Sequence, residues 1–228
     1  MDRSGERPQI ELRGLKRRGG VRGAVVVLNG ALRPELRKAC ALAGSLADSC
    51  LLVAVDGGLK TCRADARRPD LFVGDLDSSP RPPRGVPSVV YPTDKDFSDL
   101  SGALRELRAR GVQVVTVAGL VGGRLDHEWS NLLELGRAAG WFAAILAPTG
   151  RATVLVTSRG CEAATVRGHL VSLLALGGPA TVSLGGTRWT LKRRRILPGS
   201  LGLSNETGAS LRLSVHAGAV ALLFLSKR

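Results

Sequence analysis

Carboxylates recur at short intervals through the middle of this 228-residue chain, and their spacing suggests what they hold. The segment Gly74-Asp75-Leu76-Asp77-Ser78 carries two aspartates two residues apart. In an extended segment such residues project to the same side, where they can share one divalent cation. The segment Thr93-Asp94-Lys95-Asp96-Phe97-Ser98-Asp99 opens a predicted helix, with Asp96 and Ser98 as candidate caps. A third segment, Gly122-Gly123-Arg124-Leu125-Asp126-His127, is a glycine turn into another helix. Such a turn exposes backbone N–H groups to an anion, and Arg124 adds a forked phosphate donor. Carboxylates for cations beside donors for an anion are what a polyphosphate with divalent metal requires.

The charge distribution supports the same chemistry. Of 33 Lys+Arg and 19 Asp+Glu, giving a net charge of +14, residues 1–22 carry +4, residues 23–150 carry +1 and residues 151–228 carry +9. Nine of the eleven aspartates lie between Asp56 and Asp126. An acidic centre beside a basic terminal half suits a site where carboxylates hold cations and basic groups attract the anion. Taken singly, each acidic segment also reads as ordinary structure, since aspartate caps helices and Gly-Asp pairs make turns. The weight therefore rests on the set.

Elements that would position these residues follow from the apolar patterning. Strands are predicted at Ala24–Leu28, Leu51–Val55, Leu71–Val73, Ser88–Tyr91, Val112–Ala118 and Ala143–Ala147. Helices are predicted over Pro34–Leu46, Ser98–Arg110 and His127–Ala138, the last with Trp129, Leu132 and Leu133 facing inward. Alternating strands and helices argue a parallel, Rossmann-like α/β sheet, with ligands beyond the carboxyl ends of its strands. Past residue 150 the helical period stops, and short β-type runs between Gly, Pro and Ser turns predict a second, all-β sandwich domain. The expected organisation is a basic flexible tail at 1–22, an α/β nucleotide- and metal-binding domain at 23–150 and a β-sandwich at 151–228.

Several function classes fall away. No apolar run exceeds seven residues, as in Ala219–Leu225, against the roughly 20 a membrane-spanning helix needs. The start of the chain lacks the apolar segment of a secretory signal. Cys40, Cys50, Cys62 and Cys161 show no metal-binding spacing and read as buried thiols in a reducing, cytoplasmic compartment. There is no GxxxxGK[ST] phosphate loop, and Asp94–Asp99 lacks the glycine and glutamate of a calcium loop. Nucleic-acid binding is disfavoured as the main role, because aromatics are only 4% and Lys192–Arg195 is one cluster rather than a stripe. Such a run reads as a solvated loop or a strand edge.

In order, Val55-Asp56-Gly57-Gly58, Gly74–Ser78, Asp94–Asp99, Gly122–His127 and Leu203-Ser204-Asn205-Glu206 resemble the motifs of the thiamine pyrophosphokinase family. The resemblance covers roughly residues 24–225, with Leu76 where phenylalanine is commoner. It implies a homodimeric enzyme that transfers a pyrophosphoryl group from ATP to the thiamine hydroxyl, giving thiamine diphosphate and AMP. By the same resemblance Asp75, Asp77 and Asp99 hold Mg²⁺, with Asp126 close by as a further catalytic carboxylate. Asp56, Gly57, Arg124 and His127 are placed at the nucleotide, although His127 reads equally well as a helix-surface residue. Ser204 and Asn205 are placed at the thiamine pyrimidine, and Trp189 stacks on thiamine from the partner subunit. Two other functions fit the residues less closely. One is the same transfer to a hydroxymethylpterin-type substrate. The other is a nucleic-acid-binding module built on the basic C-terminal region.

Overall fold

A computed structural model describes residues 9–12, 20–77 and 79–225. In chain order the elements are β1 (Gln9–Leu12), β2 (Arg22–Val27), α1 (Arg33–Leu46), β3 (Ser49–Val55), α2 (Gly58–Ala64), β4 (Leu71–Gly74) and β5 (Ser88–Val90). Next come α3 (Asp99–Ala109), β6 (Val114–Ala118), α4 (Leu125–Ala138), β7 (Ala144–Pro148), β8 (Ala152–Thr157) and β9 (Gly160–Ala164). The chain closes with β10 (Leu170–Ala175), β11 (Ala180–Thr187), β12 (Leu191–Ile196), β13 (Asn205–Ala217) and β14 (Val220–Leu225). The fold is mixed α/β, with parallel strands in one part and antiparallel strands in the other.

The chain divides into two compact units. One takes its described residues from Lys16–Glu134 and Ile145–Gly150, the other from Met1–Leu15, Leu135–Ala144 and Arg151–Arg228. In the first, strands run in the order β6-β2-β3-β4-β5, and every neighbouring pair is parallel. Their apolar runs are continuous because both faces of a parallel sheet are covered. All of β4 and β6 is buried, and so is β2 after Arg22. Val25, Val27, Ala54 and Phe72 pack with Leu36, Ala39 and Ala43 of α1 and with Leu59 and Cys62 of α2. The second unit is antiparallel: β13 pairs with β9, β10 and β11, β14 pairs with β8 and β10, and β12 pairs with β11. No helix among the described residues is long and apolar enough to cross a membrane.

Four sequence expectations change. Helix α2 is additional; its seven residues are too few to show a helical period. Strand β1 falls inside the stretch read as a tail and pairs antiparallel with β9, and Arg22 opens β2. Most of the remaining tail, and Ser78, lie outside the described residues. In α4 the buried residues are Leu135, Gly136 and Ala138, whereas Trp129 is 70% exposed and Leu133 is also exposed. Leu125, Trp129 and Leu133 recur every four residues, so they form an apolar stripe on the open face, and apolar spacing alone cannot tell which stripe a neighbour covers. Cys62 and Cys161 are buried as expected, but Cys40 is half-buried and Cys50 exposed. Burial still raises the thiol pKa of Cys40 and Cys50 and pushes that of Cys62 up to about 11, which leaves these thiols protonated at neutral pH.

A four-residue ion cluster closes α2. The Asp65 side chain is 2% exposed and lies 3.3 Å from Arg33 Nε, 2.7 Å from an Arg37 Nη and 3.0 Å from Arg67 Nε. Hydrogen bonds from Arg37 and Arg67 hold its pKa down to about 2, against 3.8 ordinarily. A carboxylate depressed in the folded state stabilises above its unfolded pKa, and that contribution is lost as pH falls through the folded one. Denaturant titrations should therefore show stability falling between about pH 4 and pH 2. In Asp65→Asn this part of the acid dependence should flatten; an unchanged acid limb would remove the cluster from the account.

Candidate functional site

Loops that carry acidic residues or glycine follow the carboxyl ends of the parallel strands. Asn29-Gly30 follows β2, Asp56-Gly57-Gly58 follows β3, Asp75–Asp77 follows β4, Lys95 to Asp99 follows β5, and Gly122–Asp126 follows β6. Parallel sheets place their ligands at this end. Close backbone approaches draw the loops together. A Cβ on Gly58 would lie 1.9 Å from the Val27 carbonyl oxygen, one on Gly57 2.4 Å from the Asn29 side chain, and one on Gly74 3.1 Å from the Asp56 backbone.

Asp56, Asp75 and Asp77 converge. Each offers one carboxylate oxygen, and these oxygens all lie within 4.8 Å of one another. Asp56 is buried, Asp75 half-buried and Asp77 exposed, so the group opens to solvent on one side. The route to convergence differs from the extended geometry expected for Asp75 and Asp77. Leu76 between them has φ +67°, and the Asp77 N–H donates to Asp75 Oδ1 at 3.2 Å, so a tight turn brings them together. Asp56 also has positive φ, +40°. Two non-glycine residues held in the left-handed region cost on the order of 1–3 kcal/mol each and persist only where surrounding structure fixes them. Leu76 packs against the core cluster of the first unit, and the Asp56 N–H donates to the Val73 carbonyl at 2.9 Å.

Asp99 is placed differently. It begins α3, which Ser98 caps by accepting from the Ser101 N–H at 3.1 Å. Its partner is Lys95, whose Nζ lies 3.1 Å from Asp99 Oδ1 and 2.7 Å from Asp75 Oδ2. Asp99 therefore reaches the carboxylate group through Lys95, and Asp56 completes the three-carboxylate set. Burial raises the Asp99 pKa above the ordinary range, with Lys95 opposing. Burial acts the same way on Asp75, but there the Lys95 ammonium and the Asp77 N–H reverse it and hold the group below the ordinary range. The loop carrying Lys95 is pinned at both ends. Tyr91 packs edge-on to Phe97 at 5.0 Å, and a Cβ on Gly102 would meet the Tyr91 ring at 2.5 Å.

The glycine turn before α4 also departs from expectation. The N–H groups of Gly122 and Gly123, expected to face an anion, donate to Glu128 Oε1 at 2.6 and 2.9 Å. Arg124 forms a two-bond pair with Asp126, at 3.2 and 2.6 Å, with both side chains largely exposed. This pairing raises the Arg124 pKa and lowers that of Asp126. His127 donates its backbone N–H to Asp126 Oδ1 and is exposed. Asp126 is not among the carboxylates whose oxygens meet within 4.8 Å.

In the second unit, Trp189 and Asn205 are joined. Asn205 Nδ2 donates to the Trp189 carbonyl at 2.7 Å, and its Oδ1 accepts the Trp189 N–H at 3.0 Å and the Glu206 N–H at 2.9 Å. The buried amide is thus occupied in holding the tryptophan loop. The indole is 55% exposed, and the Arg188 guanidinium sits 5.0 Å from its ring centre. Ser204 has φ +57°, and its N–H donates to Ser172 Oγ at 3.1 Å. A separate open groove of about 530 Å³, lined by Ser183, Gly185, Ser210 and Arg212, contains none of these residues.

Sequence reasoning gave no role to Lys95 or Glu128. Lys95 had a visible signal, a lone cation between two aspartates and four residues before a third. Glu128 lies just beyond the motif it caps. Asn29-Gly30 reads from the sequence as a turn after the first strand, with approach to the nucleotide as the other reading, and nothing in the sequence places the Asn29 side chain on Gly57.

The family comparison bears on the same loops. Residues 43–141, which contain Asp56, Asp75, Asp77, Lys95, Asp99, Arg124 and Asp126, match a family model described as thiamin pyrophosphokinase, catalytic domain. Over that segment, less than half of its length, the chain is similar to the thiamin pyrophosphokinase family. Solved thiamin pyrophosphokinase structures share its fold. That from Bacillus subtilis is 19% identical with a TM-score of 0.72, covering 90% of this chain and 100% of its own. That from Geobacillus thermodenitrificans is 23% identical with a TM-score of 0.69, covering 91% and 98%. That from Candida albicans is 12% identical with a TM-score of 0.68, covering 97% and 99%. No curated protein sequence matches the chain.

Proposed function

We propose that this chain is a thiamine diphosphokinase that moves the pyrophosphoryl group of ATP onto the thiamine hydroxyl and releases AMP. The observation that carries the reading is the convergence of Asp56, Asp75 and Asp77 at the carboxyl end of a parallel sheet, inside the segment that matches the family's catalytic domain. The donor set suits Mg²⁺: it is all oxygen and open on one side, and this ion takes a few carboxylates and keeps its remaining positions for water and phosphate oxygens. Asp56, Asp75 and Asp77 would hold the ion, which when bound neutralises the charge of the triphosphate. Asp99 acts on the group through Lys95.

The remaining roles belong to the chain itself. Pyrophosphoryl transfer depends mostly on positioning and on stabilising charge, with little covalent chemistry for the protein to do. Arg124, at the glycine turn before α4, presents to the nucleotide phosphates a guanidinium whose plane Asp126 orients. His127 stands at the same helix start. Trp189 offers an exposed ring for thiamine, Asn205 fixes the loop that carries it, and Ser204 supplies a hydroxyl beside it. In this proposal residues 23–150 form the Rossmann-like nucleotide- and metal-binding domain, and residues 151–228 form a β-sandwich that binds thiamine and dimerises. The enzyme is a homodimer, as the motif resemblance implies, and cytoplasmic, as its cysteine usage implies.

Purified protein given ATP, Mg²⁺ and thiamine should form AMP and thiamine diphosphate in equal amounts by chromatography. ADP in place of AMP, or no product from folded protein, would refute the reading.

A further inference from the structure

Lys95 is 7% exposed by its side chain, yet it carries a charge into a site that gathers cations. Its ammonium bridges Asp75, 8% exposed, and Asp99, 20% exposed, which come from the loop after β4 and the first turn of α3. With Asp56 and Asp77, four carboxylates face this small region. Carboxylates gathered so closely repel one another unless a cation stands among them. Lys95 is paired with two members of this group, Asp75 and Asp99.

We propose that Lys95 is the built-in counter-cation of the metal site: it occupies Asp75 when no divalent ion is bound and competes with that ion for the carboxylate. This rests on the metal-site reading above and deepens it. Three features fit the role. A lysine ammonium is a compact point charge on a flexible stem, so it can leave one carboxylate while the backbone stays still. That backbone is fixed by the Tyr91–Phe97 contact and the Ser98 cap. The grip is also uneven: Nζ makes a 2.7 Å hydrogen bond to Asp75 Oδ2, while Asp99 Oδ1, 3.1 Å away, is buried without a well-aligned hydrogen bond. Lys95 can therefore yield Asp75 and turn fully to Asp99, or to a phosphate oxygen once a nucleotide supplies one. Ion and nucleotide then favour each other, because the phosphates give the displaced ammonium a new partner.

The test is Mn²⁺ binding to nucleotide-free protein, measured by calorimetry and by the electron paramagnetic resonance of free Mn²⁺. Lys95→Met should bind Mn²⁺ about tenfold tighter or more than the wild type, because a competing charge a few ångströms away is gone. The gain in Mn²⁺ affinity caused by a non-hydrolysable ATP analogue should shrink in the same variant. Lys95→Arg, which keeps the charge, should bind no tighter than wild type, so that loosened packing is told apart from lost competition. If Lys95→Met does not fold without metal, Lys95→Gln gives the same readout with a hydrogen-bond donor retained. Unchanged or weaker Mn²⁺ binding in the neutral variants, with wild type binding normally, overturns the inference and leaves the metal site intact. Failure of the wild type itself to bind Mn²⁺, with or without the analogue, overturns both.

Discussion

Asp77→Asn should lower AMP formation by about a hundredfold to a thousandfold while leaving the unfolding midpoint close to that of the wild type. The side chain is exposed, so the fold loses little; surface substitutions usually fall within about 0.5 kcal/mol. It is also one of three carboxylates whose oxygens meet within 4.8 Å, and an amide keeps its shape while removing the charge. Asp75→Asn should be as inactive but less clean. Its Oδ2 accepts from Lys95 at 2.7 Å, and an amide nitrogen there would set a donor against the ammonium. The pair separates a ligand role from a structural one. Steady-state assays with parallel thermal melts are the check, and near-wild-type turnover in Asp77→Asn would remove that carboxylate from the site.

A large effect on stability is expected at Gly58. A methyl group there would sit 1.9 Å from the Val27 carbonyl oxygen, so either β2 or the start of α2 must move. Gly58→Ala should cost about 3 kcal/mol or more, the upper range for overpacking, because the obstacle is backbone and cannot change rotamer. The displacement would also shift Asp56, two residues earlier, so activity should fall along with stability. Gly44→Ala provides the contrast. Gly44 lies in α1, a methyl group there would meet nothing within 4 Å, and the change should be neutral or stabilising by up to about 1 kcal/mol. Denaturant midpoints of the two variants decide it; equal effects would mean that the approach of α2 to β2 is not tight.

The parallel strands were legible because continuous apolar runs bounded by Gly and Asp have few other readings. Val25–Val27, Val53–Val55 and Leu71–Val73 all became buried strands. Their common edge made the loops converge, and topology alone supplies that. The orientation of individual side chains was less legible. Asp75 and Asp77 meet through a left-handed Leu76, a backbone state that sequence rarely signals for leucine. Trp129 lies on the open face of α4, since an apolar stripe does not name its partner. Glu128 and Lys95 turn inward to satisfy groups of opposite character, Glu128 the Gly122 and Gly123 N–H groups and Lys95 the Asp75 and Asp99 carboxylates. A charged residue next to a motif reads as solvated until the structure shows what it caps. Lys192–Arg195 was read as a loop or strand edge, and it lies on β12, which pairs only with β11 among the described residues.

Anomalous diffraction from crystals grown with Mn²⁺ and a non-hydrolysable ATP analogue would locate the cation directly. The account predicts an anomalous peak bonded to Asp75 and Asp77 oxygens, with the triphosphate running from it toward the glycine turn before α4. A peak held by other residues, or a bound nucleotide with no cation near Asp56, Asp75 and Asp77, would contradict it.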